Sequence, residues 1–146
     1  MVNYLDYNRA MNKKYYLYFA WAVAIVATLG SFYLGEVLGL TPCTLCWYQR
    51  LAMWPLVLLL GLAVFKQAEG LLKASLILSL VGLAVAFYHN WIYYQITSDY
   101  LLPCSLNAPC AARQFAWFGF IDIPQLSLAA FMVVVASLIA YRRNHN

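Results

Sequence analysis

Apolar residues fill this chain in four long uninterrupted blocks, not in the alternation of a half-exposed strand or the one-sided stripe of a soluble amphipathic helix. Tyr15–Gly35 has no Asp, Glu, Lys or Arg over 21 residues. At about 1.5 Å per residue, a helix of that length crosses a hydrocarbon layer of about 30 Å. The block from Cys43 to Phe65 carries one charge, Arg50. The block from Ala74 to Gln95 carries a histidine, His89, and no formal charge, and Ile123–Tyr141 is charge-free. The expected architecture is an all-α integral membrane four-helix bundle in one domain spanning residues 1–146. Its spans fall at about 15–37, 43–65, 72–95 and 123–141, and its two external loops are 38–42 and 96–122. Spanning strands are not expected, because the apolar runs are continuous and a sheet in lipid must close into a barrel of at least about eight strands.

Composition agrees. Apolar residues make up 65% of the 146 and charged residues 10%, against about 45–50% and about 25% in soluble domains. A soluble domain of this length cannot hide so much apolar surface in one core. With 17% aromatics and no polar tract or basic stripe, disorder and a nucleic-acid-binding surface are excluded. No internal repeat or linker is present.

Charge sets the expected orientation. Arg9, Lys13 and Lys14 precede the first span, Lys66 and Lys73 flank the connection between the second and third, and Arg142 and Arg143 follow the fourth. All seven fall at one side of the bundle, and the other side receives Arg50 and Arg113 with Glu36, Asp99 and Asp122. Lys and Arg near helix ends stay cytoplasmic, so both termini are expected there. The first span is too long for the apolar core of a secretory signal and reads as a retained signal anchor.

The four cysteines all fall on the external side, where an oxidising space favours disulfides. Three pairings are open, and spacing favours the two local ones. Cys43 and Cys46 lie in Thr41-Pro42-Cys43-Thr44-Leu45-Cys46, which reads as a helix start with Thr41 as N-cap and Pro42 at the first helical position. Both sulfurs then share one helix face, close to unpaired N–H groups that favour a thiolate. Arg50 falls within about 20° of Cys43 and about 40° of Cys46 on the same helix, placing a cation one to two turns from the sulfurs. Cys104 and Cys110 each follow a proline and close a small loop open to an incoming thiolate. The alternatives at these positions are a structural staple for either pair and, for Arg50, an interfacial side chain or an ion pair with Glu36.

Two dithiols on one membrane surface suggest an electron relay. The chain holds no haem or iron–sulfur ligand pattern and no nucleotide-binding glycine fingerprint. A lipid-soluble two-electron carrier, a quinone beside Cys46 and Arg50, fits the stoichiometry of two thiols. Asp122 reads as the N-cap of the last helix, with Gln125 three residues on completing a capping-box pattern. Trp47, Tyr48, Trp54 and the aromatics of 115–120 are either walls of a ring pocket or an interfacial belt.

These residues resemble the DsbB-type membrane disulfide oxidoreductases, including the shorter Gram-positive members called BdbC. The resemblance covers nearly the whole chain: four spans, Pro42-Cys43-Thr44-Leu45-Cys46-Trp47-Tyr48-Gln49-Arg50 after the first, a cysteine pair after the third, and Cys110-Ala111-Ala112-Arg113-Gln114 with Phe118-Gly119 and Pro124-Gln125 beyond it. It implies a thiol:quinone oxidoreductase in the bacterial cytoplasmic membrane, with the cysteine pairs facing the periplasm or extracytoplasmic side. Cys104 would be attacked by a DsbA-like or BdbD-like thioredoxin-fold oxidase, and Cys110 would exchange with Cys43. Cys46 would be freed as a thiolate against a non-covalently bound ubiquinone or menaquinone, with Arg50 and His89 as further quinone-binding residues. His89 is also readable as an interfacial histidine. The five residues between Cys104 and Cys110 make a shorter second loop than in the Gram-negative members and point to the shorter subgroup.

Three other readings stay open on the residues. The same chemistry run backwards gives a quinol-dependent disulfide reductase resembling vitamin K epoxide reductase. Four thiolates would also suit a Cu(I) or Zn(II) site. A structural subunit stapled by two disulfides is the third.

Overall fold

The computed structural model describes residues 4–39, 44–94, 116–117 and 121–143. Thr41, Pro42, Cys43, Cys104, Cys110 and Arg113, and the aromatics Phe115, Phe118 and Phe120, to which the sequence assigns roles, lie outside the described residues.

Four helices form: α1 (Tyr4–Phe32), α2 (Thr44–Lys66), α3 (Glu69–Tyr94) and α4 (Ile123–Arg143). Four stretches are long and apolar enough to cross a membrane: Lys14–Val37, which runs from α1 through a π-helical turn at Tyr33–Val37, and Thr44–Lys66, Glu69–Ile92 and Ile123–Arg143 within α2, α3 and α4. The chain is therefore a multi-pass membrane protein with an all-α four-helix architecture. Two features go beyond the apolar pattern. Helix α1 starts at Tyr4, ahead of the apolar block, because residues 4–14 lack proline and glycine and simply extend the helix out of the apolar layer. A two-residue antiparallel ladder also forms, with β1 (Ala116–Trp117) paired to β2 (Ile121–Asp122). It leads straight into α4.

The helices run up and down in a ring, with α1 against α2 and α4, and α3 against α2 and α4. Tight connections enforce this. Between α2 and α3 only Gln67 and Ala68 intervene, with Gln67 in the left-handed region (φ 49°) while its N–H still bonds Ala63 O at 2.9 Å.

The core lies along the ring axis, where Leu17, Ala20 and Ala24 of α1 meet Met53, Leu56 and Leu60 of α2, Ala86 of α3, and Phe131, Val134 and Leu138 of α4. Lipid offers no hydrophobic drive between helices, so close packing must hold them. Small residues supply it: the Trp21 indole lies on Gly61 and donates to Val57 O at 3.1 Å, and the Phe131 ring lies on Gly82. The buried hydroxyls of Ser75, Ser79 and Ser137 each bond a carbonyl one turn back on their own helix, so these three groups are satisfied without reaching another helix. Large side chains such as Val26, Leu58 and Phe65 point outward, as a lipid-facing surface requires.

Candidate functional site

The head of α2 gathers the polar chemistry. Cys46 occupies its first turn and is half-buried. Gln49 and Arg50 follow three and four residues on, so they flank Cys46 at about 60° to one side and about 40° to the other on the same helix face. Met53, two turns below Cys46, is buried and closes the face towards the core.

Arg50 reaches α1. Its Nη2 donates to Ser31 O at 2.7 Å, and it forms no ion pair with Glu36; the single ion pair among the described residues is Glu69–Lys73, at the other end of the bundle. The reason is local. At Tyr33–Val37 the helix shifts to π register, with Leu38 N–H bonding Tyr33 O at 3.3 Å, and such a shift takes carbonyls out of the regular ladder and offers them to other donors. Gly35 makes room: a Cβ there would stand 2.7 Å from Arg50 Nη2 and 2.9 Å from Nη1. The guanidinium is thus held by a neutral carbonyl, and most of its N–H groups and its whole charge stay available.

On the other flank, Gln49 is buried and its Nε2 lies 3.2 Å from Nδ1 of His89, itself 1% exposed. The pair ties α2 to α3 and leaves Nε2 as the second polar edge of the ring. One residue on, Asn90 Nδ2 donates to Ala86 O at 2.9 Å and across to Pro124 O at 2.8 Å, fixing α3 against the start of α4. That start carries the return arm of the expected capping box. Asp122 precedes α4, and its N–H donates to Gln125 Oε1 at 3.3 Å.

Of the expected site residues, Cys46, Arg50 and His89 lie in the described structure at one end of the bundle. Cys43, Cys104 and Cys110 fall outside the described residues. Gln49, Gly35, the Ser31 carbonyl and Asn90 were not singled out by sequence. Gln49 sits between Cys46 and Arg50 in the motif, which was the one available signal for it. Of the aromatics, Trp47 and Trp54 meet edge to face at 5.9 Å and Trp54 stacks on Phe32 at 5.6 Å. They form a seam between α1 and α2 beside Arg50, while Tyr48 is exposed.

Comparison with known proteins finds relatives over most of the chain. The family model described as "Disulfide bond formation protein DsbB" matches residues 13–141. Disulfide bond formation protein C of Bacillus subtilis is 39% identical over 124 residues, covering 85% of this chain and 90% of that protein. A probable disulfide formation protein of Metapseudomonas resinovorans is 35% identical over 128 residues, 87% of this chain and 89% of its own length. Probable disulfide formation protein C 1 of Bacillus anthracis is 36% identical over 126 residues, 86% of this chain and 91% of its own. No solved structure matches. With a family model spanning most of the chain and relatives similar over nearly their whole length, this protein belongs to the DsbB family of membrane disulfide bond formation proteins.

Proposed function

We propose that the chain is a protein dithiol:quinone oxidoreductase that reoxidises an exported thioredoxin-fold oxidase of the DsbA or BdbD kind. The observation that carries this reading is the convergence of Cys46, Arg50 and the Gln49–His89 pair at one end of the bundle, a thiol sharing its helix face with a cation and with a glutamine that meets an imidazole. A planar ring with a carbonyl at each end needs a donor at each end, and the donor set suits it: Arg50 on one side of Cys46, His89 on the other. When bound, the quinone supplies the two-electron, two-proton oxidant that restores the Cys43–Cys46 disulfide.

The protein's own steps are thiol exchanges. The partner's thiolate attacks Cys104 of a Cys104–Cys110 disulfide, and its second thiol resolves the mixed disulfide, leaving the partner oxidised and the loop dithiol reduced. A Cys110 thiolate then attacks Cys43 of the Cys43–Cys46 disulfide and releases Cys46 as a thiolate. Closing Cys104–Cys110 again frees Cys43, so one disulfide has been exchanged for another with no net electron loss. Arg50, unpaired with any described carboxylate, stabilises the Cys46 thiolate electrostatically, more strongly in a low-dielectric surround than in water. His89, held by Gln49, supplies the second polar group of the pocket.

Purified protein mixed with a reduced thioredoxin-fold oxidase and a soluble quinone should bleach quinone absorbance at a rate that follows enzyme concentration. Cys46→Ser and Cys104→Ser should each abolish turnover, and Arg50→Lys should raise the quinone KM with a smaller effect on kcat. Wild-type rates in either cysteine variant would eliminate the relay. Quinol-driven reduction of the partner's disulfide, outrunning the forward reaction, would assign the opposite direction. A membrane-impermeant maleimide on intact reduced cells should label all four thiols if the cysteines face outward.

A further inference from the structure

At the opposite end of the bundle, far from Cys46, a cavity of about 140 Å³ opens between the first turns of α3 and the last turns of α4. Its walls are two facing helical stripes. Glu69, Leu72, Lys73 and Leu76 recur at three- and four-residue spacing on α3, and Leu138, Tyr141 and Arg142 do so on α4. The chain directions order these by depth. Glu69, Lys73 and Arg142 ring the mouth where both helices leave the apolar layer, while Leu76 and Leu138 lie one to two turns further in. A cavity of this size has room for a small polar group at the mouth and several methylenes below it.

We infer that this cavity is a binding site for the headgroup of an anionic phospholipid, with the phosphate between Lys73 and Arg142 and the upper acyl chain against the leucine wall. Three observations converge on that occupant. The cavity straddles the boundary between apolar and charged residues, the level at which phospholipids place their phosphates. Its cations are available: Arg142 makes no ion pair among the described residues, and Lys73 holds Glu69 only at 3.7 Å, with the two side chains 59% and 66% exposed. Exposed i,i+4 pairs of that kind are weak, so a phosphate can take Lys73 from Glu69. Finally, Lys14, Lys66 and Arg143 crowd the same end, which the Lys/Arg asymmetry assigns to the cytoplasmic leaflet, and juxtamembrane cations there attract anionic lipid. A free anion would need the cations alone and make no use of the leucine wall.

The test is native mass spectrometry of the detergent-purified protein titrated with phosphatidylglycerol or phosphatidylcholine. Phosphatidylglycerol should be retained over phosphatidylcholine. Lys73→Gln and Arg142→Gln should each weaken its retention about fivefold, the size expected for one juxtamembrane cation, and Glu69→Gln should strengthen it by freeing Lys73. Lys14→Gln removes the same charge from the same end outside the cavity and should change retention by less than twofold. These are exposed residues, and unchanged helical circular dichroism in each variant would exclude misfolding. Equal retention of the two lipids, or an equal loss in Lys14→Gln, would overturn the inference. So would displacement of the bound lipid by millimolar inorganic phosphate, since the leucine wall would then contribute nothing.

Discussion

Gly35→Ala is the sharpest probe of how Arg50 is held. The added methyl would stand 2.7 Å from Arg50 Nη2, 2.9 Å from Nη1 and 3.2 Å from Cζ. An ordinary carbon–nitrogen contact is about 3.5 Å, so the overlap is about 0.8 Å and the guanidinium must withdraw by about that much. Its bond to Ser31 O, at 2.7 Å, is a hydrogen bond from a charged donor, worth about 1.5–3 kcal/mol. Replacing a helical glycine by alanine returns up to about 1 kcal/mol of propensity, leaving a net loss of about 0.5–2 kcal/mol. The functional loss should exceed the structural one, because misplacing a positioning group by about 1 Å costs up to about 100-fold. The control is Gly30→Ala on the same helix, where an added Cβ would meet nothing within 4 Å. Thermal unfolding in detergent and quinone-reduction kinetics measure both effects. Gly35→Ala should lower Tm and raise the quinone KM by tenfold or more, while Gly30→Ala leaves KM unchanged and holds or raises Tm. Equal kinetics in the two variants would refute the reasoning that Gly35 exists to admit Arg50.

Gln49→Leu removes the amide that meets His89 Nδ1 in a site 1% exposed and should cost about 1–3 kcal/mol, read as a lower Tm, with quinone turnover falling alongside it; unchanged kinetics would detach His89 from the reaction. Asn90→Leu deletes the bond to Pro124 O between α3 and α4 and should destabilise by a similar amount; hydrogen exchange should rise first at the start of α4, and an increase spread evenly over the bundle would contradict that local role. Gly82→Ala drives a methyl into the Phe131 ring and should cost about 1–3 kcal/mol by overpacking, and the double variant Gly82→Ala with Phe131→Leu should recover part of it. Gln125→Ala removes the return arm of the α4 capping box, and a loss of about 0.5–1 kcal/mol is expected; a stability equal to wild type would show the arm to be idle.

The four-helix membrane architecture was legible in the amino-acid order because it depends on run length and charge alone: an uncharged stretch of about 20 residues has one stable form in lipid, a helix that satisfies its own backbone. The α4 cap was legible for a similar reason, since Asp122 and Gln125 are three residues apart and their bond is local. Cys46 and Arg50 were likewise visible on one helix face, because helical geometry relates such neighbours without reference to the rest of the molecule. What joins different helices was not legible. Arg50 meets Ser31, Gln49 meets His89 and Asn90 meets Pro124 across 19, 40 and 34 residues. In helices apolar on nearly every side, no polar face announces which surface turns inward. The rotation of each helix is settled by shape, by Phe131 lying on Gly82, Trp21 on Gly61 and Arg50 on Gly35. Only the packed bundle therefore decides that Arg50 rests on a backbone carbonyl instead of on Glu36, and that His89 turns its Nδ1 to Gln49.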